Sequence, residues 1–283
     1  MDRFSKYNPK AAFSFFLVEI LLTIVIFNPI LLAVSFVSAF AYKLKLDGRA
    51  AFLYLLKFIL PMVLLVMVFN FAFSHYGMTV LFVLRDMNFT AESLFYGFTQ
   101  GMLLGCVMMW FSCYGRVITA ERFIAVFGRI IPNTALVFSM VLSFIPRLRK
   151  NAGEISDARQ LVNSESKLKK SINNFSALIT MTLEESIETA DSMKARGYNK
   201  GRSIYLKYRF SLKDFFLLVF TFIAGMVLWV FKGMGYLDFL FDPVIKMGRL
   251  SIWAVIIFAV LSLLPVIIDF LEDMRWFYLK RKI

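Results

Sequence analysis

Long apolar runs recur along this chain, each bounded by charged or turn-forming residues. They are Ala11 to Phe27, Pro29 to Tyr42, Phe52 to Phe73, Ala91 to Tyr114, Asp214 to Phe231 and Leu250 to Phe270. A helix needs about 20 residues to cross about 30 Å of hydrocarbon. A backbone inside hydrocarbon has no water to bond, so the spanning solution for runs of this length is the helix. The runs predict an all-α integral membrane protein with about six transmembrane helices. Composition agrees: 59% of the 283 residues are hydrophobic and the mean hydropathy is +0.70, whereas a soluble domain is about half apolar.

The first two runs could form one broken helix. Asn28-Pro29 favours two short spans, because proline opens a helix well and the residue before it resists helix. The third run carries Pro61 and predicts a kink there. The charges between runs set the topology. Lys43, Lys45, Arg49 and Lys57 follow the second run, the long middle region is basic, and the tail holds Arg275, Lys280, Arg281 and Lys282. The loops around Asn28, His75 to Glu92 and Asp238 are nearly neutral or mixed. With the N-terminus in the cytoplasm, six spans put every strongly basic segment inside, as the positive-inside rule requires. The formal charge of +13 is thereby accounted for without nucleic acid. The first run lacks a small-residue cleavage site and more membrane follows it, which argues against a cleaved leader.

This reading divides the chain into an N-terminal block of four spans (1–115), a cytoplasmic helical region (116–213) and a C-terminal block of two spans with a basic tail (214–283). In the middle region Pro132 suits a first helical turn. Ala135 to Ile145 is short for a span, and Pro146 should kink or restart the helix. A second helix is expected to about Leu161 and a turn over Ser164 to Ser171. A third helix is expected from about Asn174 to Arg196. Its first half is acidic and its end basic, which suits the helix dipole. Asp191 and Lys194 are spaced to pair, and Gly197 is placed to stop the helix in a left-handed conformation. On local pattern alone, Arg196 could simply neutralise that helix end.

Several chemistries find no support. The only histidine is His75, which excludes a multi-histidine metal centre. Cys106 and Cys113 lie seven apart in one apolar run and read as core filler. No phosphate-binding glycine loop is present; Gly197, Gly201 and Arg202 do not complete one. The acids from Glu184 to Asp191 read as a solvated helix face, so no catalytic or metal residue and no cofactor is assigned. Gly97, Gly101 and Gly105 fall on one face of the fourth span, where backbones can approach closely, within the chain or against another subunit. Glu19 lies inside the first span. A charge there costs on the order of 3 kcal/mol on insertion scales, so it pairs internally, carries a proton or serves transport. Asn70 is placed to bond between spans. Phenylalanine is frequent, at 33 residues, and runs such as Phe13, Phe15 and Phe16, or Phe215 and Phe216, should face lipid or a membrane partner.

Three segments carry a resemblance: Ile131-Pro132 through Phe144-Ile145-Pro146, then Ala158-Arg159-Gln160, then Met193-Lys194-Ala195-Arg196-Gly197-Tyr198. Together they resemble the transmembrane T component of energy-coupling factor (ECF) transporters, the EcfT/CbiQ family. That family carries two Ala-Arg-Gly motifs near the ends of cytoplasmic coupling helices. Here the second motif matches fully, and the first departs at Gln160. The sites lie 37 residues apart, and the likeness extends more loosely to the paired spans at Asn28-Pro29 and the span with Tyr96-Gly97. The resemblance implies a non-enzymatic scaffold with two or three coupling helices in the cell membrane of a prokaryote. Arg159 and Arg196 would dock on two ABC-type ATPase subunits. The membrane face would hold a substrate-binding (S) subunit for vitamin or metal-ion uptake. A self-sufficient secondary transporter is the alternative; it predicts paired charges within the spans and repeated halves, and only Glu19 lies deep in a span. An enzyme acting on lipid-linked substrates would instead need clustered acidic or histidine ligands near the membrane surface.

Overall fold

A computed structural model describes residues 4–74, 77–84, 87–128, 130–160, 167–197, 208, 210–241, 246–247 and 251–280. His75 and Tyr198 lie outside the described residues, as do Gly201 and Arg202. The chain forms two compact units. One combines Met1–Thr119 with Tyr208–Ile283, and the other is Ala120–Lys207. The N- and C-terminal blocks of the sequence thus pack together.

The first unit begins with a 3-10 turn, Phe4–Lys6, and then α1 (Pro9–Val25) and α2 (Pro29–Asp47). Both helices start with the same device. Asn8 accepts the Lys10 N–H and Asn28 accepts the Ile30 N–H, each at 3.1 Å, with proline at the first helical position. The apolar run therefore turns at Asn28-Pro29 into two helices. Next come α3 (Arg49–Tyr54), a π-helical turn (Leu55–Ile59) and α4 (Leu60–Phe73), forming one apolar element. Pro61 has no N–H to return to the preceding turn, and the wide turn ahead of it, with the Leu60 N–H on Leu55 O, absorbs the irregularity. α5 is Ala91–Val117 and α9 and α10 are Leu212–Gly233 and Ile252–Lys280. Five elements are long and apolar enough to cross a membrane: α2, Arg49–Phe73, α5, α9 and α10. This is a largely helical membrane protein. The apolar α1, at 17 residues, packs against α5 and α9.

Polar contacts gather one set of helix ends. Asp214 opens α9, accepts the Ser211 N–H at 2.8 Å and also takes the Asn8 N–H at 2.9 Å. Asp269 of α10 accepts the Phe4 N–H at 3.1 Å. Lys45 of α2 reaches Asp273 at 3.0 Å. Asp47 takes Lys43 at 2.7 Å and Arg116 of α5 at 3.1 Å. Both Asp214 and Asp269 are buried, and a hydrogen bond to a charged group contributes roughly 1.5–3 kcal/mol. Beside this clasp Phe4, Phe15, Phe16, Tyr42 and Trp110 form the aromatic core, with rings edge to face at 5.4 Å for Phe4–Phe15 and 6.2 Å for Phe16–Trp110. The expectation that Phe15 and Phe16 face lipid or a partner is corrected here: both are fully buried because their rings close this core, whereas Phe215 and Phe216 are exposed. The opposite ends are closed differently. The loops expected there contain two small antiparallel hairpins, Val80–Leu84 with Met87–Thr90 and Phe239–Leu240 with Lys246–Met247. Asn28 donates to Leu237 O at 3.3 Å, and the Phe241 ring packs tilted against Phe27 and edge to face against Tyr96, each at 5.3 Å.

The second unit holds α6 (Ala120–Phe127), α7 (Pro132–Gln160) and α8 (Lys167–Ala195). Two expectations are corrected here. Pro146 does not split α7, because the long apolar and charged stretches on either side sustain the helix across one missing bond. α8 begins at Lys167, seven residues before the expected start at Asn174. Lysine and leucine are good helix formers, and Leu168, Ile172 and Phe175 already repeat at helical spacing.

The glycine face of α5 packs inside the chain. A Cβ on Gly97 would lie 2.6 Å from the Asn70 Cβ, and one on Gly101 would lie 2.9 Å from Val63 O; on Gly105 it would meet Ile59 at 3.1 Å. These residues belong to Arg49–Phe73, and Asn70 Nδ2 donates to Gln100 Oε1 at 3.2 Å across the same seam. The Gly97→Ala variant should lose about 1–3 kcal/mol from overpacking, read as a lower melting temperature in detergent. Gly115→Ala, with nothing within 4 Å of its Cβ, should match or exceed wild type.

Candidate functional site

The second unit is organised by contact between its two long helices. Asn151 of α7 donates to Glu185 Oε1 at 3.4 Å, and Arg147 Nε lies 3.7 Å from Glu185 Oε2. Asn151 is buried. Glu185 is therefore part of a clamp, which the sequence reading of a wholly solvated acidic face missed. The helical spacing of Arg147 and Asn151 was the available signal, since both lie on one side of α7.

From this clamp the two candidate arginines run outward. Arg159 is eight residues past Asn151, and Arg196 is eleven past Glu185, about 12 and 16 Å of helical rise. Six residues join α7 to α8, a reach of roughly 25 Å at most. The two helices meet at the Asn151–Glu185 contact. The arginines consequently sit at separate helix ends, one on each helix, at most roughly 30 Å apart by helical rise.

The local chemistry at the two ends is similar. Arg159 is in the last turn of α7, half-buried, after an exposed Ala158; Gln160 is the last helical residue, and its side chain lies outside the described residues. α8 closes at Ala195, which is exposed, and Arg196 follows, also exposed. The Arg196 N–H still bonds Ser192 O at 3.1 Å, while Gly197 turns the chain with φ +71° and gives its N–H to Lys194 O at 2.9 Å. A side chain disfavours that φ, so glycine is the natural stop. Lys194 engages Asp191 at 3.4 Å, a surface pair of small energetic weight. Among the described residues, neither Arg159 nor Arg196 has an ion pair or a side-chain hydrogen bond. Each guanidinium keeps its planar fork of donors available to carboxylates or carbonyls of another molecule.

No family model matches this chain, and no curated protein is similar to it.

The second unit also leaves a long apolar stripe open. Leu168, Ile172, Phe175, Leu183 and Ile187 of α8 are all more than half exposed. An apolar surface of this extent belongs against another protein or the membrane interface.

In the first unit Glu19 is fully buried and receives the Ser262 hydroxyl of α10 at 2.5 Å on Oε1. Around it, Thr23 donates to Glu19 O at 2.8 Å and lies 3.3 Å from Ser35 Oγ, which accepts the Trp110 Nε1–H at 2.9 Å. Cys106 and Cys113 are buried and lie against Leu32 O and Ala39 O of α2. Among the described residues no group of three or more His, Cys, Asp or Glu is placed to hold a metal.

Replacing Glu185 with alanine should release α7 from α8 at a cost of about 1 kcal/mol. Hydrogen–deuterium exchange should rise roughly five-fold near Asn151 and Glu185, with exchange in α1, α2 and α10 unchanged.

Proposed function

We propose that this chain is the membrane scaffold of an ECF-type ABC importer, with its N-terminus and second unit in the cytoplasm of a prokaryotic cell. Two ABC-type ATPase subunits bind it, one at Arg159 and one at Arg196. ATP hydrolysis belongs to those partners, and the scaffold itself is not an enzyme. The observation that carries the reading is the pair of arginines, without a partner among the described residues, at the separate ends of two clamped helices. A single arginine at a helix end is explained by the dipole alone. Two of them, at separate ends of one helix pair and both without a partner among the described residues, suit a dimeric partner that offers two equivalent grooves. The match of Met193 to Tyr198 to the ECF motif points the same way.

Movement follows from the mechanics. The ATPases close on ATP and shift the two helix ends. The Asn151–Glu185 clamp makes α7 and α8 respond as a pair. Their apolar stripe passes the movement to a membrane substrate-binding subunit, which captures a vitamin or metal ion. A second reading, a self-sufficient secondary transporter, draws on the buried Glu19 network.

The test is co-purification in mild detergent. Wild type should recover ABC-type ATPase subunits, and the Arg159→Glu, Arg196→Glu double variant should lose at least about 100-fold in affinity, as expected when charge pairs worth 2–5 kcal/mol are reversed. If the variant retains the ATPases, or if wild type recovers none and transports alone in proteoliposomes, the scaffold reading is wrong.

A further inference from the structure

We propose that Glu19 is a proton-binding site in the core of the first unit, and that the bound proton joins α1 to α10 through Ser262. The proposal is independent of the importer reading and rests on where each hydrogen of the surrounding network goes.

Thr23 has one hydroxyl hydrogen, and it is given to the main-chain oxygen of Glu19 at 2.8 Å. The hydrogen of Ser35, 3.3 Å from the Thr23 hydroxyl, is therefore left for Thr23 or for the Glu19 carboxyl. Ser35 in turn accepts the indole N–H of Trp110 at 2.9 Å. Ser262 gives the carboxyl its close hydrogen bond, at 2.5 Å on Oε1, and Ser35 is the one further hydroxyl that addresses it; Oε2 has no hydrogen-bond partner within 3.5 Å although it is fully buried. An ionised carboxylate presents two strong acceptors with about four lone-pair sites, and here it would meet at most two neutral hydroxyls and no cation in an apolar core. A neutral acid brings its own hydrogen. It leaves a single weak carbonyl acceptor unmet, which is the smaller penalty.

The charged and titratable groups on the packed elements do not supply a counter-ion. On α2, Lys43 is bound to Asp47 and Ser112, and Lys45 to Asp273. On α5, Cys106 faces the site and its Sγ contacts Leu32 O at 3.3 Å, while Arg116 is on Asp47. On α9, Asp214 serves the Asn8 and Ser211 N–H groups and Lys232 pairs with Asp238 at 2.6 Å; Lys213 is in its first turn. On α10, Asp269 lies two turns beyond Ser262 and accepts from Phe4. A metal cation is a poorer occupant than a proton, because the hydroxyl oxygens that would ligate it are already joined by hydrogen bonds.

The experiment is infrared spectroscopy of the full chain in lipid vesicles near neutral pH, as wild type minus Glu19→Gln. The expected result is a carbonyl stretch of a protonated carboxylic acid that shifts in D2O and vanishes in the variant. Ser262→Ala, which leaves the carboxyl in place, should move that band to higher frequency by removing its hydrogen bond. Dicyclohexylcarbodiimide, which attacks protonated carboxyls in apolar sites, should label Glu19. A difference spectrum containing only a carboxylate band overturns the proposal. So does a band that sodium or potassium ions abolish, which would mark a cation site. If Glu19→Gln fails to fold, the absence of any shift in Ser262→Ala overturns it equally.

Discussion

Hydrocarbon supplies no hydrogen bonds, and that constraint orders the whole first unit. Each long run solves it along its backbone by becoming a helix. What is left for side chains is to close the places where helices begin, end or break. Asparagine at the start of α1 and of α2, Asp214 at the start of α9 and Asp269 on α10 all spend their oxygens on main-chain N–H groups. The same groups gather the ends of helices distant in sequence. The apolar interior can then be filled by aromatic rings and by the close approach of α5 to Arg49–Phe73, where glycine leaves room for Asn70 and Val63.

The second unit obeys a different balance. Few of its side chains are buried. Its order depends on long helices and one polar clamp, and its large apolar stripe is left for a partner. Such a construction is weak as a self-contained core and well suited to transmit displacement between molecules. A rigid helix end carrying an unpaired guanidinium is a handle. Two handles on clamped helices convert the motion of a two-fold partner into motion of the pair.

Much of this was legible in the sequence because it is local. Asn28-Pro29 dictates a turn through the geometry of two residues. Gly97, Gly101 and Gly105 mark a close seam by their period, and Gly197 marks a helix stop by its freedom at positive φ. What the sequence did not disclose depends on residues far apart in the chain. Nothing near Glu19 names Ser262 as its partner, and nothing near Phe4 names Asp269. Composition also misled at Lys167 to Ser171, where a basic polar run suggested a turn although its leucine and isoleucine kept the helical period. The two hairpins were hidden because short strands in loops carry few residues with which to show an alternation. Of the two outcomes expected at Pro146, the restart does not occur: one missing hydrogen bond does not end a helix that extends well to both sides.

The central claim is that the second unit holds Arg159 and Arg196 apart, at separate ends of one clamped helix pair. Pulsed electron–electron resonance tests it most directly, with spin labels at Asp157→Cys and Lys194→Cys; the native Cys106 and Cys113 are buried. The account predicts one distance distribution, centred at roughly 20–25 Å from the helical rise between each label and the contact, for the full chain in lipid vesicles. A distribution centred below about 15 Å, the span of ten helical residues, would place the two ends together and contradict it.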